Sequence, residues 1–377
     1  MKKIYFKGLN GIRFFAALLV IMHHLEFIKH CLGYSTIWSM EYSSYLGAFG
    51  VTVFFVLSGF LITYLLLCEK EVKSIHIKHF YVRRMLRIWP LYFLIIFIAF
   101  FILPHFDFFH IENYSTDMTT YKTRLILFSF LLANVSFVYL PNVAFANVLW
   151  SVAVEEQFYL FWPYVIKIKK YLFRFMIFLL VFFFILKLGG KFFFPQDPIN
   201  QLIYRTRFSS MIIGGIGAYG LYKRAAFLQY LYKKPLQLIA VSVFFLLLLD
   251  MLNFQYFSII KTELTSLIIC VLILNISSND QSILKLENRY LNYLGKISYG
   301  LYVYHMIVIV AVLKFASSIV DINTLQNTAF HPVLLISITL ATIVLSHFSY
   351  NYFERPFITK KLNYSVIVSG DLVKSNK

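Results

Sequence analysis

Apolar residues along this chain gather into long runs separated by short polar stretches, and the runs recur from end to end. Ten of them are centred near Leu19, Phe55, Ile96, Tyr159, Phe182, Ile213, Phe244, Ile269, Ile309 and Ile343. A helix needs about 20 apolar residues to cross a hydrocarbon core of about 30 Å. The pattern predicts an all-α, polytopic membrane bundle of about ten transmembrane helices. An eleventh apolar stretch, Leu125 to Tyr139, is shorter and does not fit that count.

Charge placement decides how to treat it. Cytoplasmic loops of membrane proteins are enriched in Lys and Arg. Starting inside with Lys2, Lys3 and Lys7, the second span leads to Lys70, Lys73, Lys78, Arg83, Arg84 and Arg87. The third exits into a loop with Asp107, Glu112 and Asp117. If Leu125 to Tyr139 crossed fully, Lys167, Lys169, Lys170 and Arg174 would fall outside. If it dips in and returns, they fall inside. So do Lys223, Arg224, Lys233 and Lys234, then Lys285, Arg289 and Lys296, and finally Arg355, Lys360 and Lys361. The reading is ten spans plus one re-entrant segment, with both termini cytoplasmic. Non-helical backbone at membrane depth needs protein or a water-filled cavity around it, so a cavity is expected near Asn134.

Composition agrees. The 377 residues are 60% apolar and only 14% charged, with Lys and Arg exceeding Asp and Glu by 35 to 17. Soluble domains are about 25% charged. The net charge of +18 lies between apolar runs rather than on a patch, which excludes nucleic acid as a partner. Cys31, Cys68 and Cys270 make neither a disulfide framework nor metal-ligand spacing. The first apolar run has no small-residue cleavage site after it and reads as a retained helix. The last dozen residues read as a loose tail.

Ionisable groups inside spans are costly and tend to be functional. The first span carries Arg13, His23, His24 and Glu26. Arg13 and His24 are 11 residues apart, so they share a face roughly 16 Å apart along the axis. Histidine suits a general base near neutral pH. His23 points elsewhere and reads as a packing residue. In the third span Arg84 and Arg87 share a face at i, i+3, and arginine forks suit phosphate oxygens. Arg83 reads as an anchor. In the fourth, Ser151, Glu155, Tyr159 and Trp162 form one stripe, which favours Glu155 over Glu156. Glu155 would orient the histidine or neutralise an arginine. His305 in the ninth span stays open, and Glu354 and Arg355 read as a terminal anchor. Gly215, Gly217 and Gly220 match G-x-G-x-x-G, but no strand precedes them, so close helix packing is expected. His76 and His79 have no third ligand, so no metal site is expected.

These motifs together resemble membrane acyltransferase family 3, the sugar O-acyltransferases of bacterial envelopes. The likeness covers Arg13 with His24, FFVLSGFLI from Phe54, RRMLRIWPLY from Arg83, LWSVAVEEQFY from Leu149, ISYGLYVYH from Ile297 and SYNYFERPF from Ser349. The resemblance implies a family domain over 1–358 with a cytoplasmic tail over 359–377, in the inner membrane. It implies His24 and Glu155 as catalytic residues, and Arg13, Arg84 and Arg87 as the site for acyl-CoA, most simply acetyl-CoA as co-substrate. No cofactor would be bound permanently. The acceptor would be a hydroxyl of a polysaccharide, such as O-antigen or exopolysaccharide, or of a lipid-linked oligosaccharide. The fused extracytoplasmic esterase-like domain of some members is not expected. Met306, Ile307 and Val308 stand where many members have a proline nearby, which leaves the role of His305 open. The loops Phe106 to Lys122 and Phe192 to Arg207, with Arg207 itself, are candidates for acceptor contact.

Two routes are consistent with this pattern. His24 deprotonates the acceptor hydroxyl for direct attack on the thioester, or His24 takes the acyl group first. A transporter or flippase for a lipid-linked or acidic solute would also use buried Arg, His and Glu, but its usual inverted repeat is not visible. A structural scaffold gives no reason for charge at such depth.

Overall fold

In the computed structural model the described residues are 2–111, 118–251, 258–321, 324–325 and 327–369. Over these residues the chain is a helical bundle with one small strand pair. The long helices are α1 (Leu9–Cys31), α2 (Met40–Val72) and α3 (Ile77–Phe97), the last continuing through π and 3-10 turns to His105. Two short helices follow, α4 (Met118–Ser129) and α5 (Ala133–Tyr139). Next come α6 (Leu149–Ile168), α7 (Leu172–Phe193), the short α8 (Pro198–Arg205) and α9 (Phe208–Tyr222). The remainder is α10 (Phe227–Leu231), α11 (Lys234–Leu248), α12 (Ser258–Ser278), α13 (Arg289–Lys296), α14 (Ser298–Ile319), α15 (His331–Phe348) and α16 (Arg355–Lys360). A helix lies over each of the ten apolar runs. Seven helical stretches among the described residues are long and apolar enough to cross a membrane. The other three helices over apolar runs are α6, which carries Glu155, Glu156 and Lys167, and the 15-residue α9 and α11.

Leu125 to Tyr139 does turn back. Tyr121 at the start of α4 donates to the Phe100 carbonyl at the far end of α3, and Tyr92, two turns earlier on α3, donates to the Phe128 carbonyl. The helix then breaks at Leu131, which takes a left-handed φ of 60° with Leu132 N–H closing onto the Leu127 carbonyl. On the return, Asn134 meets Gln157 within α6, and Phe137 stacks on Trp150 at its beginning. The cavity expected beside Asn134 is displaced. Asn134 is buried by reciprocal hydrogen bonds with Gln157 (3.2 and 2.8 Å), and the cavity begins one turn later, at Phe137.

The basic loops converge on one end of the bundle. There β1 (Lys2–Ile4) pairs in parallel with β2 (Ile367–Ser369). Lys70 bonds the Ile166 carbonyl, Arg83 the Tyr364 carbonyl, Tyr5 the Glu287 carboxylate, and Tyr232 the Ser278 hydroxyl. Burial and then the Glu287 carboxylate hold the Tyr5 phenol above its usual range. The last dozen residues are therefore not uniformly loose, because Ile367–Ser369 form a strand; 370–377, like Glu112 and Asp117, lie outside the described residues. Arg83 is more than an anchor, since it forms a 2.6 Å ion pair with Glu69 of α2. Glu354 is likewise not a rim anchor. It is buried in a π-helical turn, Ser349–Glu354, and accepts from Ser349.

Within the bundle α2 is central and largely buried, whereas the Phe-rich surface of α7 faces outward. The close approach of α2 and α9 depends on glycine. A Cβ on Gly214 would overlap the Val56 carbonyl, and one on Gly59 would overlap the Met211 carbonyl. The neighbouring G-x-G-x-x-G glycines pack closely too, since a Cβ on Gly217 would press on the Cys270 sulfur and one on Gly220 on the Phe227 ring, as small residues do between membrane helices. Gly214→Val is expected to destabilise the bundle by about 1–3 kcal/mol or more, because backbone cannot swing aside as a side chain can. Gly189→Ala, where a Cβ would meet only a Phe193 ring carbon at 3.9 Å, is expected to be neutral or slightly stabilising. Thermal melting of both variants in detergent checks the contrast.

Candidate functional site

Three of the predicted residues meet at the end that carries the paired strands. Arg13 from α1 and Arg84 and Arg87 from α3 line one cavity of about 110 Å³, with Tyr159 of α6 and Lys361 on its walls. The i, i+3 spacing of Arg84 and Arg87 does what the sequence predicts, since both project into the same space. Arg84 also lies over the Tyr159 ring, 5.5 Å from its centroid, and its Nε is buried with no hydrogen-bond partner. Such a cluster suits an anion with several oxygens. Its size suits a phosphate group rather than a whole nucleotide.

His24 lies on the same face of α1 as Arg13 but opens into a different cavity, of about 810 Å³, toward the other end of the bundle. This volume falls within the usual range for ligand pockets. His24 Nδ1 is 2.9 Å from the Val20 carbonyl, which can only accept, so Nδ1 carries the proton and Nε2 keeps its lone pair. His305 of α14 brings Nε2 within 3.1 Å of the same Nδ1 and shares that proton as a second acceptor. The imidazole is thereby held in one tautomer and orientation, with its basic nitrogen unused. His23 also borders this cavity, but its Nδ1 meets the Ser43 hydroxyl at 3.1 Å and its ring lies against Gly47.

Glu155 does not reach the histidine pair. Its carboxylate accepts from Tyr159 at 2.7 Å, and Arg84 and Arg13 act on it electrostatically. Of the two roles the sequence leaves open, the geometry favours the arginines. Glu156 is engaged by Trp89 Nε1 at 3.0 Å. The stripe on α6 runs along the interval between the two cavities. Tyr159 lines the arginine side, Glu155 sits one turn on, and Ser151 another turn on. The Ser151 hydroxyl bonds the Tyr302 hydroxyl at 2.7 Å, and Tyr302 lines the histidine cavity.

Several groups escape the sequence reading. Tyr302 could have been found from its i, i+3 relation to His305. The basic residues of the histidine cavity, Lys187, Lys191 and Arg205, come from α7 and α8 and had no motif to mark them. Glu26 is also more than a stray charge, because it bonds the Ile37 amide at 2.8 Å and approaches His331 at 3.1 Å, fixing the end of α1 to α15. His76 caps α3 by accepting from the His79 amide. Among the described residues no group of three His, Cys, Asp or Glu side chains converges on a metal-sized site.

Comparison with known proteins gives a consistent picture. A family profile described as an acyltransferase domain (Acyl_transf_3) matches residues 6–350. Peptidoglycan O-acetyltransferase OatA of Listeria monocytogenes is 33% identical over 166 residues, 42% of this chain and 24% of its own. A Bacillus subtilis protein, YrhL, provisionally named a peptidoglycan O-acetyltransferase, is 32% identical over 45% of this chain and 25% of its own. A Staphylococcus aureus protein provisionally named an O-acetyltransferase is 27% identical over 94% of this chain and 58% of its own. The chain thus spans between a quarter and just over half of the length of these relatives. No solved structure matches.

Proposed function

This chain belongs to the acyltransferase-3 family, and we propose that it transfers an acyl group, acetyl in the simplest case, from acyl-CoA to a sugar hydroxyl of an envelope polysaccharide or its lipid-linked precursor. The observation that carries this reading is His24, whose unused Nε2 belongs to a cavity opposite a cluster of three arginines. A multi-pass bundle with its basic loops on one side gives that side a cytoplasmic assignment, which puts the arginines where cytoplasmic acyl-CoA would arrive. The acceptor then enters from the other side, in the inner membrane of the cell.

We infer the following step. Arg84, Arg87 and Arg13 hold donor phosphates, and the extended arm of the donor passes along the Tyr159, Glu155 and Ser151 stripe. His24 Nε2 takes the proton of the acceptor hydroxyl. The hydroxyl oxygen bonds to the thioester carbonyl carbon, the carbon–sulfur bond breaks, and the proton passes from His24 to the departing thiolate. While His24 is protonated, Val20 and His305 both accept from Nδ1–H and stabilise the cation. Glu155 is a positioning residue that holds Tyr159 and balances the arginines.

Proton NMR of envelope polysaccharides tests this in a parent strain, a deletion strain, and the deletion complemented with wild type or His24→Ala at matched membrane levels. O-acetyl signals should disappear in the deletion, return with wild type, and stay absent with the variant. Full restoration by His24→Ala would make the histidine structural. An unchanged acyl pattern in the deletion would remove the acetyltransferase reading and favour transport of an intact solute.

A further inference from the structure

The histidine cavity has a charge balance that a neutral sugar does not call for. Lys187, Lys191, Arg205 and Arg207 line it, and no carboxylate among the described residues does. Lys187 is engaged within the wall, with Nζ 2.6 Å from Glu263 and 2.7 Å from the Ser209 hydroxyl. Neither arginine forms an ion pair with a carboxylate among the described residues, although Arg207 also borders an adjoining cavity that holds Glu41 and Asp250. Arg207 is only 6% exposed; its Nη1 donates to the Ala48 carbonyl at 2.9 Å and to the Thr52 hydroxyl, while its Nε is buried with no partner. Arg205 is held by aromatic faces instead of anions, 4.5 Å from the Phe137 centroid and 5.7 Å from that of Trp150. Burial and then the Arg207 charge push its guanidinium down, to about 10. Arginine does not escape such a conflict by losing its proton in practice. Two guanidinium groups kept together in a shielded cavity are relieved by an anion between them.

We infer that the acceptor carries an anionic group, a carboxylate or a phosphate, which Arg205 and Arg207 hold while an acceptor hydroxyl lies at His24. This deepens the proposed function and rests on reading the cavity as the acceptor side. The surrounding chemistry suits a charged glycan. Asn142, Asn147 and Gln201 offer hydrogen bonds to hydroxyls. The anion can belong to the sugar polymer itself or to the phosphate of a lipid carrier. Either gives the same oxygens to the same guanidinium groups.

The test starts from the polymer whose acetyl groups are lost in the deletion strain. De-O-acetylated polymer is offered, with radiolabelled acetyl-CoA, to the full-length protein in nanodiscs. It is used in three forms: on its carrier, released from the carrier, and released with its own charges removed by carboxyl reduction or phosphate cleavage. A loss of at least tenfold in kcat/KM on release assigns the anion to the carrier; the same loss only on charge removal assigns it to the sugar. Arg205→Gln is expected to raise KM at least tenfold for the anionic form and to erase its advantage over the uncharged form, with Arg205→Lys recovering part of it. Equal kcat/KM for all three forms, or equal losses on charged and uncharged forms in Arg205→Gln, overturns the inference and leaves acetyl transfer intact. No acetyl lost in the deletion strain, with no transfer in vitro, removes both readings.

Discussion

His24→Ala is expected to lower turnover by a factor of about 10² to 10⁴, the range a general base contributes, with little change in acyl-CoA affinity. The separation of effects follows from the fold. The arginine cavity and the histidine cavity share α1 but are lined by different residues, so removing the imidazole leaves the arginine cavity in place. CoA release by purified protein in nanodiscs, with acceptor present, gives turnover; equilibrium binding of a non-hydrolysable acyl-CoA analogue gives affinity. His305 provides the internal comparison. It touches His24 through Nδ1 only, so His305→Ala removes a hydrogen bond to a group that becomes charged, worth about 1.5–3 kcal/mol. That corresponds to roughly ten- to a hundredfold. His305→Gln, whose carbonyl oxygen can accept the same proton, should recover part of the loss. If His305→Ala costs as much as His24→Ala, the two act as one catalytic unit and the assignment of the base to His24 fails.

The second large effect is on donor binding. Arg84→Gln and Arg87→Gln each remove a charge-assisted contact, so each is expected to weaken acyl-CoA binding about ten- to a hundredfold. Arg84→Lys keeps the charge but loses the planar fork and should be intermediate. Titration calorimetry with CoA reads the change directly. Raising the ionic strength should weaken wild type more than either variant, because screening acts on the contacts the variants lack. Unchanged affinity in both variants would place the donor elsewhere and make the arginine cavity structural.

Much of this arrangement was legible in the residues. Periodicity over about 20 positions located the ten helices, and charge parity identified the segment that turns back at Leu131. Helical phase placed Arg13 with His24, Arg84 with Arg87, and Glu155 with Tyr159. What helical phase cannot supply is the partner. It tells which face of α1 bears His24, but not that His305, 281 positions away, is the ring that meets it. The same limit hid Phe137 and Trp150 under Arg205, and the Lys187 pairing with Glu263. It also explains the misreading of Glu354, where proximity to the end of an apolar run implied exposure. A π-helical turn rotates that carboxylate inward, and such turns cluster at functional sites.

The strand pair at the chain ends bears on biogenesis. Ile4 at the end of β1, with Tyr5 and Phe6 after it, forms one wall of the arginine cavity, and Lys361, shortly before β2, forms another. During synthesis α1 is therefore made long before Lys361, and the arginine cavity stays incomplete until the segment after α15 returns to the residues that precede α1. Premature termination after α15 would leave a membrane protein with the His24 and His305 pair assembled and the arginine cavity open on one side.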